Sequence, residues 1–226
     1  MNYIRQILII VRKDIAAEIR TKEMLNSMLV FVILTMVIFH FAFGEVFEGV
    51  EIAAGILWAA FLFAAVLGLN RIFVHEKDEG CLDGLMLCPT DRAVIYFGKV
   101  VSSLIFIFVV QILALPIFFV FFIKMIPLST LWLLILLIIL SNVGITSVGT
   151  LLSAISINTK ARDLMLPILF FPVIIPILIA AVKSTGLIMT ASKFSGDILI
   201  WLRMLVIYDI IFLLVGFLTF EYVLEE

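Results

Sequence analysis

Six apolar runs leave this chain little freedom in what it can become: about Leu25–Phe43, Ile52–Phe73, Val100–Ile123, Leu131–Ile155, Leu164–Val182 and Ile198–Phe220. Each is close to the roughly 20 residues that a helix needs to cross a 30 Å hydrocarbon core. Backbone amides in lipid must be satisfied inside the segment or in a closed barrel, so runs of this length read as spanning helices. With 65% hydrophobic residues and a mean hydropathy of +1.32, the chain lies well outside the roughly 45–50% apolar content of soluble domains. The expected fold is an all-α integral membrane bundle of six transmembrane helices, one domain over residues 1–226, with little left for a soluble unit.

Between the second and third runs lies a charged island, residues 71–99. It holds Arg71, His75, Glu76, Lys77, Asp78, Glu79, Asp83, Asp91, Arg92 and Lys99. Hydrocarbon excludes it, because each ion at the centre of a span costs about 2.5–3.5 kcal/mol. Phe73, Leu82, Leu85, Met86 and Ile95 supply apolar contacts, while Gly80, Gly84 and Pro89 divide the segment into short pieces. Short amphipathic pieces at a membrane surface suit docking to a soluble partner better than enclosing a small molecule. The island reads as a handle that a partner grips.

Ahead of the first run, residues 1–24 place Ile4, Leu8, Val11, Ile15 and Ile19 at helical spacing, with Arg5, Arg12, Lys13, Glu18 and Arg20 mostly elsewhere on the wheel. That pattern predicts an interfacial amphipathic helix; a solvated helix packed on a partner is the competing reading. No cleavable leader is expected, because residues 1–24 are an amphipathic charged stretch rather than a short apolar core ending in small residues; the first span itself should target the chain. Orientation follows from lysine and arginine. Arg5, Arg12, Lys13, Arg20, Lys22, Arg71, Lys77, Arg92, Lys99, Lys160 and Arg162 fall on one side, against Lys124, Lys183, Lys193 and Arg203 on the other. This bias places both termini and the island in the cytoplasm, and an outer loop at 183–197 on the far face.

No motif for catalysis is present. The Gly98-Lys99 pair has Ala93 where a phosphate-binding loop needs glycine and Val100 where it needs Ser or Thr, and there is no HExxH or GxSxG. The basic residues form no stripe, so nucleic acid is not an expected partner. Cys81 and Cys88 match no metal or haem-attachment spacing and read as small apolar fillers.

In the fifth run, Pro167, Pro172 and Pro176 each remove an amide that would bond four residues back. A bent helix lining a pathway or gate and a plain packing kink are both open readings. Pro116 with Gln111 gives a milder version in the third run, and Asn142, Thr146, Ser147, Gly149, Thr150 and Ser153 favour close helix contact in the fourth. Asp209, six residues from Arg203, does not pair with it on one helix face and either meets a neighbouring helix or stands protonated. His40 is a polar anchor or, as the sharper reading, a haem ligand. Trp58, Trp132 and Trp201 suit an aromatic belt.

Three stretches carry a resemblance to a known family: Gly55-Ile56-Leu57-Trp58; Glu76 through Pro89, reaching on to Gly98-Lys99; and Leu166-Pro167 through Pro172 and Pro176, with Gly149-Thr150 upstream. Over about residues 5–182 the chain resembles the CcmB family, ABC-2 type permeases of cytochrome c maturation. The resemblance implies a permease in a bacterial-type inner membrane, working with a separate CcmA-like ATPase beside CcmC-like and CcmE-like haem-handling proteins. ATP then acts only through the partner, and haem is the cargo or rides on the chaperone that the ATPase releases. The coupling element is Glu76, Asp78, Glu79, Gly80, Leu82, Asp83, Leu85 and Pro89. A six-span unit of this size is expected to pair as a homodimer. A permease for another lipid or amphipathic cargo, and an ATP-independent scaffold for haem-handling proteins, are the alternative readings.

Overall fold

The computed structural model describes residues 3–43, 49–78, 80, 81, 84, 87, 88, 90–122, 130–157, 159, 161–190 and 196–223, with the side chains of residues 75, 78 and 162 excepted. Among them are helices α1 (Tyr3–Thr21), α2 (Glu23–Phe43), α3 (Val50–Arg71), α4 (Val74–Asp78), α5 (Arg92–Phe122), α6 (Leu131–Ser156), α7 (Arg162–Thr190) and α8 (Gly196–Val223). Six of these, all but α1 and α4, are long and apolar enough to cross a membrane. Helices α3 and α6 carry the most thoroughly buried spans, whereas α2, α5, α7 and α8 form the lipid-facing periphery. The all-α bundle of six spans is therefore as expected, and α1 is a separate amphipathic helix beside it.

Two boundaries differ from expectation. Helix α5 begins at Arg92 rather than Val100, so the last part of the charged island is helical. Its 31 residues span about 46 Å at 1.5 Å per residue, so the first turns stand outside a 30 Å core. Asp91 starts it as an N-cap, its Oδ1 accepting the Ala93 amide at 3.0 Å. Helix α7 runs to Thr190, so the expected outer loop at 183–197 is helical through its first eight residues. The rest of that loop up to residue 195 lies outside the described residues.

Chain ends and connections alternate between the two faces of the bundle. At one face, Arg92 Nη1 donates to the Glu221 carbonyl at 2.9 Å, Lys77 Nζ to the Ile157 carbonyl at 2.6 Å and Asn70 Nδ2 to the Asp163 carbonyl at 3.3 Å. Helix α4 and the end of α8 thus share that face, here termed the α4 face, and Tyr3 of α1, donating to Asp91 Oδ2 at 3.2 Å, brings α1 to it. A cluster of Ile10, Phe73, Ile95, Tyr96, Val100, Leu151 and Phe220 packs beneath it. Phe73 and Ile95, expected as contacts for a partner, turn inward and are 1% and 2% exposed.

Within the spans, three sets of polar groups tie neighbouring helices together. Gln111 of α5 and Asn142 of α6 exchange two amide hydrogen bonds at 3.0 and 2.6 Å. Ser153 Oγ donates to the Leu69 carbonyl at 2.8 Å, tying α6 to α3. Trp58 is not a belt residue: it is 1% exposed and its Nε1 donates to Thr185 Oγ1 at 2.8 Å. A buried indole needs such an acceptor, and this one lies on a helix remote in sequence. Trp132, at 58% exposed, does face outward.

Helix α7 stays continuous through its three prolines. Pro167 frees the carbonyl of Asp163, which is the one that Asn70 reaches. Three residues before Pro176, the Val173 carbonyl accepts from Tyr208 of α8 at 2.7 Å. Pro172 is exposed on the outside of the bundle and Pro167 and Pro176 are half-buried, so none of the three lines the filled centre of this chain.

Asn142→Leu leaves the Gln111 amide without its partner in an apolar setting. It is expected to cost about 1 kcal/mol, in the range of measured interhelical polar contacts in membranes. Denaturant titration of the purified protein in detergent measures this, and the Gln111→Leu/Asn142→Leu double variant should recover part of the loss.

Candidate functional site

Four charges close into a ring at the α4 face. Lys13 and Asp14 are neighbours on α1, Glu76 sits in α4 and Lys99 lies two turns into α5. Lys99 Nζ is 2.8 Å from Glu76 Oε1 and 3.1 Å from Asp14 Oδ1, and it donates to the Ile72 carbonyl at 3.4 Å. All three ammonium hydrogens therefore have an acceptor, and the Phe73 ring lies 5.4 Å from the same nitrogen. Lys13 completes the ring by bonding Glu76 Oε1 and lying 3.3 Å from Asp14 Oδ1. Two cations and two anions alternate, and the set is neutral.

Burial makes this ring consequential. The Lys99 side chain is 3% exposed, Glu76 9% and Asp14 11%, whereas Lys13 is 47% exposed and faces water. Desolvated charges are stable only when closely paired, and losing one partner strands the others. Burial alone lowers the affinity of Lys13 for its proton, but the hydrogen bond and charge of Glu76, together with Asp14, outweigh it and raise its pKa above 10.5. Gly98, beside Lys99, makes the approach of α1 possible: a Cβ there would lie 2.8 Å from Ile10 Cγ2.

The expected coupling residues divide at this ring. Glu76 is not a free contact for a partner, because Lys13 and Lys99 hold it at the base of the connection. Asp78 is the last residue of α4. Gly80 is exposed with φ of +67°, a left-handed turn that suits glycine. Leu87 is 86% exposed, an unusual position for a leucine. Glu79, Leu82, Asp83, Leu85 and Pro89 lie outside the described residues. The cysteines are exposed rather than apolar fillers, and Cys88 Sγ approaches the Gly84 carbonyl at 3.5 Å.

Other singled-out residues are scattered. His40 stacks on Phe121 with ring centroids 4.9 Å apart, at the opposite face. No group of three or more His, Cys, Asp or Glu that could hold a metal occurs among the described residues. Arg203 is exposed, while Asp209 is 5% exposed and points at Gly144 of α6, so they do not pair. The ring itself was invisible to spacing arguments, because its members come from positions 13, 14, 76 and 99 and Lys99 adjoins an apolar run.

A family model described as CcmB protein matches residues 5–225 of the chain. Among similar proteins is the heme exporter protein B of Rhodobacter capsulatus, 30% identical over 168 residues, which cover 74% of this chain and 76% of that protein. That of Pseudomonas aeruginosa is 26% identical over 187 residues, covering 82% of each. The Haemophilus influenzae protein of the same name is 26% identical over 173 residues, or 76% of this chain and 77% of that one.

Lys99→Met strands Asp14 and Glu76 with only the half-exposed Lys13 between them. The expected loss is about 3–5 kcal/mol, visible as a lowered melting temperature in detergent. Because the folded-state pKa of Lys13 is raised, its contribution is whole below pH 10.5 and disappears as pH climbs through the folded value. Melting temperature should therefore fall on the alkaline side, and Lys13→Met should flatten that fall.

Proposed function

This chain belongs to the CcmB family, and on that footing we propose that it is the membrane permease subunit of an ABC transporter complex for cytochrome c maturation. It carries out no chemistry of its own. ATP is hydrolysed by a separate CcmA-like subunit, and the work exports haem or releases a haem-loaded CcmE-like chaperone beside a CcmC-like protein. The α4 face looks into the cytoplasm of a cell bounded by the inner membrane in which the bundle sits. Lysine and arginine support this orientation, since Arg5, Arg12, Arg20, Arg71 and Arg92 are all on elements at that face.

One observation carries the coupling role: the connection between α3 and α5 has a fixed base and an exposed tip. At the base, the charge ring joins α4 to α1 and α5. Towards the tip, Gly80, Cys81, Gly84, Leu87 and Cys88 are exposed. A partner that engages the tip pushes on a connection whose base is fixed to α1 and α5. Its displacement passes directly into α3, the most buried span, and into α5.

Cargo does not cross the centre of one copy. Met36, Leu57, Phe61, Leu137, Phe170 and Ile174 fill that centre at 0–1% exposure. A filled core leaves the surface between two copies as the route, which is the reason for proposing a homodimer. Pro172 is on the outside of α7 with Ile168 and Ile175, and a gate role for it would require such a pair.

Asp83→Lys reverses a charge in the connection between α3 and α5, and Leu87→Asp alters its exposed tip. Each is expected to cut co-purification of the ATPase subunit from membranes at least tenfold while leaving membrane insertion intact. Unchanged recovery of the ATPase would remove the coupling role.

A further inference from the structure

Beside the charge ring lies a cavity of about 750 Å³ between α1, α2, α3, α5 and the start of α7. Small-molecule sites span roughly 300–1,000 Å³, so a sizeable group fits. Its two ends differ in chemistry. Leu67, Met24 and Phe106 line it towards the hydrocarbon, whereas Glu18, Arg71 and Asp163 line it at the polar rim. The charge ring borders it too and is neutral in sum. Arg71 is held by Glu23 at 3.4 Å, with both side chains more than half exposed. Among the described residues, the Glu18 carboxylate accepts only the Leu25 amide, at 2.9 Å, and Asp163 has no ion pair. The rim therefore offers two carboxylates lacking a cation and one loosely held guanidinium.

The geometry points to a bound aminophospholipid of the phosphatidylethanolamine type, its ammonium between Glu18 and Asp163, its phosphate at Arg71 and an acyl chain along Leu67 and Phe106. A primary ammonium supplies three N–H donors to the two carboxylates, and a trimethylated one supplies none. An anionic headgroup lacks the positive end that the carboxylates need and meets them as like charge. The same repulsion disfavours the carboxylates of haem. Lipid held here joins α1 to the starts of α2 and α7 and the end of α3, and so stiffens the face on which α4 is mounted.

The test uses the full-length protein in nanodiscs of equimolar phosphatidylethanolamine, phosphatidylglycerol and phosphatidylcholine, with retained lipid counted by native mass spectrometry after detergent release. One phosphatidylethanolamine per chain is expected, at least tenfold over either other lipid. The Glu18→Gln/Asp163→Asn double variant should lower that retention fivefold or more. Leu67→Trp, which fills the apolar end without altering charge, should do the same and carries the test if the double variant does not fold. Glycerophosphoethanolamine, which has no acyl chain, should not displace the lipid. Equal retention of the three lipids, retention unchanged in Leu67→Trp, or stoichiometric displacement by haemin would each overturn the assignment.

Discussion

Lys99 is the residue on which the arrangement of the α4 face depends. Its ammonium has left water almost entirely, and a bare ion at that depth costs several kcal/mol. The cost is offset only because Asp14, Glu76 and the Ile72 carbonyl converge on one nitrogen from three different segments. An apolar contact of similar size would hold α1 and α4 nearby. Three directional acceptors hold them in one orientation.

Deeper in the bundle the same rule works with neutral groups. Hydrocarbon supplies no hydrogen bonds, so the amides of Gln111 and Asn142 and the Trp58 indole are each met by a side chain on another helix. These links fasten α5 to α6 and α3 to α7, and α3 and α5 are the helices that flank the α4 connection. A push on the connection therefore moves helices that are already cross-braced. In a bundle whose core is filled, the motion is directed outward, to the surface that the proposed homodimer would share.

Periodicity and length sufficed to place the six spans, and α2 and α6 begin and end within two residues of expectation. Where the reading failed, a distant partner had changed the meaning of a residue. Lys99 looks like loop because lysine is costly in a helix near the membrane, yet Asp14, 85 positions earlier, makes it a buried structural cation. Trp58 fits an interfacial belt by type, and only Thr185, 127 positions away, reveals it as core. Glu76 belongs to a charged island by composition, but its ring neighbours turn it from contact surface into foundation. Local pattern reports what a segment tolerates, and long-range pairing decides how it is used.

Cys88 offers the most direct test of the claim that external work arrives through the α3–α5 connection, since it is exposed beside Leu87 and, with Cys81 replaced by Ser, is the one thiol left in the chain. Its labelling rate with a membrane-impermeant maleimide can be followed in vesicles of both orientations, with and without the ATPase subunit. The account predicts rapid labelling only where the cytoplasmic face is outward, slowed at least tenfold by the ATPase. Labelling from the opposite face, or a rate indifferent to the ATPase, would contradict it.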